Sequence, residues 1–202
     1  MRKFKFAFLT AAVALAIGPA AFASTLAVET LPTQTYLGYY VGPAGGLLDG
    51  QPVQLVCDDF KHITYVPSGN LGVAISIFPT LTSVRFTAAP MLQNYEQAAM
   101  LAYEMQQPGN SGQIGDIQFA IWNIFNPATP DTAGSDTWLA WLASQDRSAW
   151  NYSEMKVVTP GSGFSSNQEF LVGTPTPTPE PLPFVLVGCA LAGIGRIRRR
   201  RL

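Results

Sequence analysis

The chain has 202 residues, of which 48% are hydrophobic and 12% are charged. This hydrophobic fraction excludes a disordered chain, and the length suggests one domain with appended segments. Two cysteines are too few for a disulfide-rich scaffold or a four-cysteine zinc site, and the single histidine, His62, excludes the histidine clusters of many metalloenzymes. We therefore expect neither a metal nor a cofactor.

The charges are segregated along the chain. Eight of the twelve basic residues lie in the two ends, whereas residues 24–178 carry twelve acidic against four basic side chains. An acidic body repels the phosphate backbone of nucleic acids. Nucleic acid is therefore not an expected partner.

Residues 1–23 have the three-part pattern of a secretory signal peptide. Three basic residues precede an apolar run at 6–17, and Gly18-Pro19 ends that run before Ala-Phe-Ala at 21–23. We expect cleavage between Ala23 and Ser24, and hence export. A retained membrane anchor is the alternative, but the run is shorter than the ~20 residues that span a bilayer.

The C-terminal end has three consecutive parts. Residues 174–181 form a Pro/Thr linker, expected to be stiff and extended, that ends in Pro179, Glu180 and Pro181. An apolar run at 182–195 follows, and the arginine-rich tail after it includes Arg198, Arg199 and Arg200. The arginines are expected to stay cytoplasmic, which places the acidic body across the membrane.

This order of parts resembles the PEP-CTERM protein-sorting signal of Gram-negative bacteria. The resemblance implies that 182–202 is a transmembrane sorting helix with its tail, and that the chain is transiently anchored in the inner membrane. It also implies processing by an exosortase-type enzyme near Pro-Glu-Pro, and a final location at the cell surface or in extracellular polysaccharide. A plain single-span anchor without processing is the alternative.

Residues 24–173 are predicted to form one extracellular α+β domain. Its N-terminal half is β-rich, either a sandwich or barrel-like, with runs of β-forming residues at 34–41, 53–60, 62–66, 71–78 and 81–86. Residues 42–50 are predicted to be a glycine-rich loop. Apolar periodicity predicts three helices at 91–105, 113–126 and 135–150, the last capped by Ser135 or Asp136, and a closing strand at 164–172.

Two residues in this body are suited to one particular chemistry. In the second helix Gln118 projects into an apolar face, where it needs a hydrogen-bond partner. Cys57 is the single cysteine of the body, and an unpaired thiol in an exported protein calls for an explanation. A cysteine can attack a glutamine side-chain amide, expel ammonia and leave an internal thioester. Such a bond needs a dry aromatic pocket, for which the candidates are Phe60, Tyr95, Phe119 and Trp122.

These residues resemble the thioester (TQXA-type) domains of bacterial surface adhesins. The run 118–122 matches the Gln-x-Ala-aliphatic-Trp core of that family, with Ile117 where the family has Thr. Cys57 and Asp59 match its cysteine and acid, with Val56 where the family has Tyr. The resemblance implies a Cys57–Gln118 cross-link and covalent adhesion to amines or hydroxyls on polysaccharide or on another surface.

Other candidate sites are weaker. Asp58 and Asp59 point to opposite faces if both lie on a strand, so the pair is expected to be solvated or to mark the strand end. The same reasoning separates His62 from Cys57 and disfavours a cysteine hydrolase. We therefore expect no enzyme. The alternative to an adhesion module is a non-covalent structural protein of the extracellular matrix or biofilm, in which Cys57 is a small buried hydrophobe and Gln118 bonds to the backbone.

Overall fold

A computed structural model of the chain describes residues 24–178. Several residues of the expected signal peptide and sorting segment lie outside this range, namely Ala23, Pro179, Glu180, Pro181, Arg198, Arg199 and Arg200. Within 24–178, none of the helices combines the length and the hydropathy that a membrane crossing needs.

The described residues form a mixed α+β domain. Its strands are β1 (Ser24–Thr30), β2 (Gln34–Tyr36), β3 (Tyr39–Val41), β4 (Ala44–Leu48), β5 (Gln51–Cys57), β6 (Leu71–Ile77), β7 (Trp150–Asn151), β8 (Lys156–Pro160), β9 (Phe170–Val172) and β10 (Thr176–Pro177). Its helices are α1 (Met91–Met105), α2 (Ile114–Phe125) and α3 (Ala133–Ala143), with short 3₁₀ turns at Pro108–Asn110, Arg147–Ala149 and Ser162–Phe164.

Six antiparallel strands close into a barrel in the order β1, β4, β5, β9, β8, β6. Alternate side chains on each strand point inward, as the two-residue period of a strand requires. The buried apolar residues of the interior include Leu26, Val28, Leu55, Val73, Val158 and Phe170. The barrel is therefore filled by side chains where these strands pack together.

The three helices cover one side of the barrel. α2 packs against both α1 and α3, and residues 117–122 in its middle are all buried. The shared core of helices and barrel includes Val56, Leu101, Ile117, Ile121, Val157 and Leu171. This packing fixes α2 relative to the strand end that carries Cys57.

The hairpin β2–β3 lies outside the barrel and rests on α2. Its two turn residues, Leu37 and Gly38, have φ values of 49° and 86°, as a tight two-residue turn requires. A Cβ atom on Gly115 would lie 2.4 Å from the Tyr36 ring, so a glycine at this point of α2 lets the hairpin approach. The Tyr36 hydroxyl also donates a 2.9 Å hydrogen bond to Asp116.

The structure confirms the α+β class, the β-rich N-terminal half and the three helices. It also shows that β8 and β9 return to the barrel after the helices, so the two kinds of element are not segregated along the chain as predicted. The strands β1, β4, β7, β8 and β10 were not predicted from the sequence. The predicted strands at 62–66 and 81–86 are not formed, and the run 34–41 is a hairpin rather than one strand.

The predicted glycine-rich loop at 42–50 contains β4. Gly46 lies within this strand, and a larger residue would not fit there, because a Cβ would lie 2.5 Å from the Ala27 carbonyl oxygen and 2.8 Å from Leu55 Cδ1. Asp49 and Gly50, both with positive φ, form the turn into β5. The glycines thus serve close strand packing, which composition alone does not distinguish from a loop.

The third helix and the closing strand are shorter than predicted. α3 begins after Thr132, whose hydroxyl accepts a hydrogen bond from the Ser135 main-chain N–H, while the Ser135 side chain bonds back to Thr132 N. Thr132 is therefore the N-cap, and Ser135 is the other half of a capping box.

The first part of the predicted Pro/Thr linker belongs to the body. β10, at Thr176–Pro177, pairs with β7, and the Thr178 N–H donates a 2.7 Å hydrogen bond to the Ala149 carbonyl oxygen. Contacts with the body therefore continue to Thr178.

Candidate functional site

A cavity of about 380 Å³ opens between the hairpin β2–β3, the end of β5, the loop at 58–66 and α2. Cys57 and Gln118 both line this cavity, although they are 61 residues apart in the chain. The barrel supplies the first residue and the helical layer the second. The fold therefore brings together the two residues that were predicted to react.

Cys57 is the last residue of β5, where it pairs with Phe170 on β9. Its side chain is half-buried at the cavity wall, and Sγ donates a 3.3 Å hydrogen bond to the Asp59 carbonyl oxygen. Burial raises the pKa of the thiol and the charge of Asp58 raises it further, while the hydrogen bond to the Asp59 main chain opposes this by a smaller amount. The free thiol is therefore protonated at neutral pH.

Gln118 is 1% exposed, and both ends of its carboxamide have main-chain partners. Nε2 donates a 2.7 Å hydrogen bond to the Cys57 carbonyl oxygen, and Oε1 accepts a long 3.4 Å hydrogen bond from the Gly42 N–H. The carboxamide is thus held against the main chain of Cys57. The Gly42 N–H is the kind of donor that stabilises negative charge on an acyl oxygen.

Aromatic rings cover one side of the cavity. The rings of Phe60 and Trp122 lie 5.3 Å apart, and Tyr39 packs against both, at 5.2 and 5.9 Å. Phe119 does not line the cavity, contrary to the prediction, because its ring turns behind this layer and packs edge-on against Tyr36. Phe60 and Trp122 line the cavity, and the Phe119 ring packs 5.2 Å from that of Trp122.

Tyr95 also lies away from the cavity, so its predicted place in the pocket is wrong. Its hydroxyl donates a 2.5 Å hydrogen bond to Glu169 and accepts one from the Phe86 N–H at 3.2 Å. The ring packs 4.8 Å from Phe125. The position of Tyr95 on α1 places it in the core between helices and barrel, where it binds a buried carboxylate.

Asp58 and Asp59 are both fully buried, so the expectation of a solvated pair is wrong, although the pair does mark the end of β5. The two carboxylate oxygens of Asp58 have no hydrogen-bond partner among residues 24–178. Burial raises the pKa of Asp58 well above its ordinary value, and the charges of Glu169 and Asp59 raise it further. Burial likewise raises the pKa of Glu169.

Asp59, in contrast, is fully bonded. Its carboxylate oxygens lie 2.9 and 2.8 Å from His62 Nδ1, and one of them also contacts Arg85 Nη1. The main-chain N–H groups of Lys61 and His62 donate to the same carboxylate at 3.1 and 3.3 Å. These contacts fix the orientation of the imidazole.

His62 lines the same cavity as Cys57, which corrects the argument that put them on opposite faces. That argument assumed a strand through residue 62, whereas β5 ends at Cys57 and the chain then bends around Asp59. The sequence reading also missed Gly42, which it placed in a loop. The Asp-x-x-His spacing at 59–62 could have indicated the role of His62. No signal in the sequence indicated that of Gly42.

Within residues 24–178, no group of three or more His, Cys, Asp or Glu side chains is arranged to hold a metal ion. No family model, curated protein or solved structure matches the chain.

Proposed function

We propose that this chain is an exported, exosortase-processed protein of the cell surface or extracellular polysaccharide, and that its body is an adhesion module with an internal Cys57–Gln118 thioester. The observation that carries the second part is the hydrogen bond from the Gln118 carboxamide nitrogen to the Cys57 carbonyl oxygen, inside a cavity that both residues line. The first part rests on the sequence patterns at the two ends of the chain.

Thioester formation balances without any further reagent. Cys57 Sγ bonds to the Gln118 side-chain carbon, the carbon–nitrogen bond breaks, and the amide nitrogen leaves as ammonia with the proton of the thiol. During this step the acyl oxygen becomes negative, and the Gly42 N–H donates to that oxygen. The Cys57 carbonyl oxygen, which accepts from the leaving nitrogen, orients the amide before it reacts.

The aromatic layer protects such a bond from water. Phe60, Tyr39 and Trp122 pack against one another at the cavity wall, and a thioester hydrolyses more slowly where water has poor access. An acceptor group that enters the cavity would displace the thiol and become joined to residue 118. The module would then be attached covalently to polysaccharide or to a surface amine or hydroxyl.

A non-covalent structural protein of the extracellular matrix is the second candidate. It is favoured by the raised pKa of the Cys57 thiol and by the hydrogen bonds at both ends of the Gln118 carboxamide, since both describe a stable unreacted pair. In that case Cys57 would be a packing residue. The two candidates predict different masses for the same protein.

The test is the mass of the full chain, purified from a Gram-negative host, and of its Cys57→Ala and Gln118→Ala variants. The thioester requires that the wild type be one ammonia lighter than its sequence and that both variants have their full mass. Methylamine should then add to residue 118 and release the Cys57 thiol. A glutamate found at position 118 would also support the proposal, as the product of thioester hydrolysis.

A full sequence mass, together with stoichiometric alkylation of Cys57, would reject the thioester and leave the structural candidate. The sorting proposal is tested separately. Mass spectrometry of the surface fraction should find a C-terminus near Pro-Glu-Pro, and Glu180→Ala should leave the unprocessed chain in the inner membrane.

A further inference from the structure

The cavity that both residues of the proposed thioester line also carries a basic group. His62 lines the cavity together with Cys57 and Gln118, and its Nδ1 is bound to both carboxylate oxygens of Asp59. This leaves Nε2 as the ring nitrogen that can exchange a proton with a molecule in the cavity. A histidine oriented through its other nitrogen is the usual form of a general base.

Asp59 is built to hold that imidazole in place. It is fully buried, contacts the Arg85 guanidinium and accepts two main-chain hydrogen bonds from its own loop. These partners hold the Asp59 carboxylate in place independently of the His62 imidazole. The arrangement is more elaborate than thioester formation itself requires, because that step supplies its own proton to the leaving ammonia.

The charges at the cavity also select among acceptors. The charged or basic side chains that line it are Lys61 and His62, and no carboxylate among residues 24–178 does so. A protonated amine therefore finds no partner here and is repelled by Lys61, so an amine such as methylamine reacts only through its small neutral fraction. A neutral hydroxyl group is not repelled, but it is a weak nucleophile that needs a base to take its proton.

The rim of the cavity fits a molecule with both apolar and polar surface. Tyr39 and Tyr40 line it and are 41% and 54% exposed. An exposed tyrosine ring offers an apolar face beside a hydroxyl group. A sugar ring has the matching surface, with C–H groups on its faces and hydroxyls around its edge.

We propose that the acceptor is a carbohydrate hydroxyl and that His62 is the general base that activates it. This inference rests on the proposed thioester. The hydroxyl oxygen attacks the acyl carbon of residue 118 while its proton passes to His62, and the carbon–sulfur bond breaks. The Cys57 sulfur then takes that proton, so the products are an ester at residue 118, a free thiol at residue 57 and a neutral imidazole.

The test compares two acceptors on the full chain, wild type and His62→Gln. Each protein is incubated with maltotriose, a neutral oligosaccharide, and separately with methylamine, and the adduct at residue 118 is followed by mass spectrometry. We expect the variant to retain the loss of one ammonia and the methylamine reaction, whereas its ester formation falls by about 100-fold or more. Hydroxylamine should remove the sugar but not the methylamine.

The outcomes distinguish failure of this inference from failure of the proposed Cys57–Gln118 thioester. A wild type that reacts with methylamine but not with maltotriose would overturn the acceptor class. Ester formation at the wild-type rate in His62→Gln would overturn the role of the histidine. A wild type with its full sequence mass and no adduct of either kind would instead reject the thioester, and this inference with it.

Discussion

The hydroxyl of Tyr36 donates a hydrogen bond to the carboxylate of Asp116, joining the hairpin β2–β3 to the helix that carries Gln118. Thr132, the N-cap of α3, donates to the same carboxylate oxygen at 2.8 Å. The Asp116 side chain on α2 thus binds both the hairpin β2–β3, which lines the cavity, and the start of α3. The cavity is held in shape from the helical side.

Replacing Gly115 with alanine should destabilise the protein. The new Cβ would lie within 2.4 Å of the Tyr36 ring, and this crowding should lower the free energy of unfolding by about 1–3 kcal/mol. Urea denaturation of the full chain, followed by tryptophan fluorescence, measures the change. Gly112→Ala is the matched control, because a Cβ there meets nothing within 4 Å. Equal stability of the two variants would contradict the close approach of the hairpin.

Replacing Tyr39 with alanine should shorten the life of the thioester. Tyr39 packs against both Phe60 and Trp122, and its loss would open the aromatic layer to water. We expect hydrolysis to glutamate at position 118 to become several-fold faster, as read by mass spectrometry over time. Tyr65→Ala is the control, since this ring is 79% exposed and does not line the cavity. Hydrolysis at the same rate in both variants would mean that the aromatic layer does not exclude water.

The Cys57 thiol should react slowly in the folded protein when no thioester can form. The test uses a chain in which Gln118→Leu prevents the thioester and Cys189→Ser removes the other cysteine. Burial raises the pKa of Cys57, so the reactive thiolate is scarce. Alkylation by iodoacetamide at about pH 8 should be at least ~10-fold slower in the native state than in urea. Equal native and unfolded rates would show that the thiol is not shielded.

Stability should fall as the pH rises, because of Asp58. Its pKa is higher in the folded than in the unfolded protein, so the folded state binds an extra proton at mildly acidic pH, and this contribution is lost as the pH rises through the folded value. Asp58→Asn should therefore be more stable than the wild type at about pH 8 and show a flatter profile down to about pH 5. A residual slope is expected from Glu169.

Denaturant midpoints across that range give the profile. Asp131→Asn, at an exposed position, controls for the change in net charge. If the wild type and Asp58→Asn have parallel profiles, Asp58 does not hold a proton in the fold.

Local patterns in the sequence were sufficient to predict where Gln118 and Cys57 lie in the fold. The 3.6-residue period that defined α2 also placed Gln118 in a buried position, and the structure confirms both the helix and the burial. The run of β-forming residues at 53–60 likewise placed Cys57 on a strand. These features depend on neighbours within a few turns of the chain.

The other side of the site depends on contacts between distant residues. Gly42 reaches Gln118 across 76 positions, and Arg85 reaches Asp59 across 26. His62 comes to the cavity because β5 stops at Cys57, and that end is set by pairing with Phe170 after the helices. Tyr95 was misplaced for the same reason, since its partner Glu169 comes from the far end of the domain.

The pairing of β10 with β7 has a mechanical consequence for a protein tethered by its C-terminal end. A pull on residue 178 first opens this two-residue ladder and then loads β9, the strand that is bonded to β5 beside Cys57. Once an acceptor is joined to residue 118 the bond to Cys57 is broken, so tension would reach α2 only through the packing of the helices against the barrel. The short β10–β7 ladder would then open first, and the barrel strands would bear the load only after it has opened.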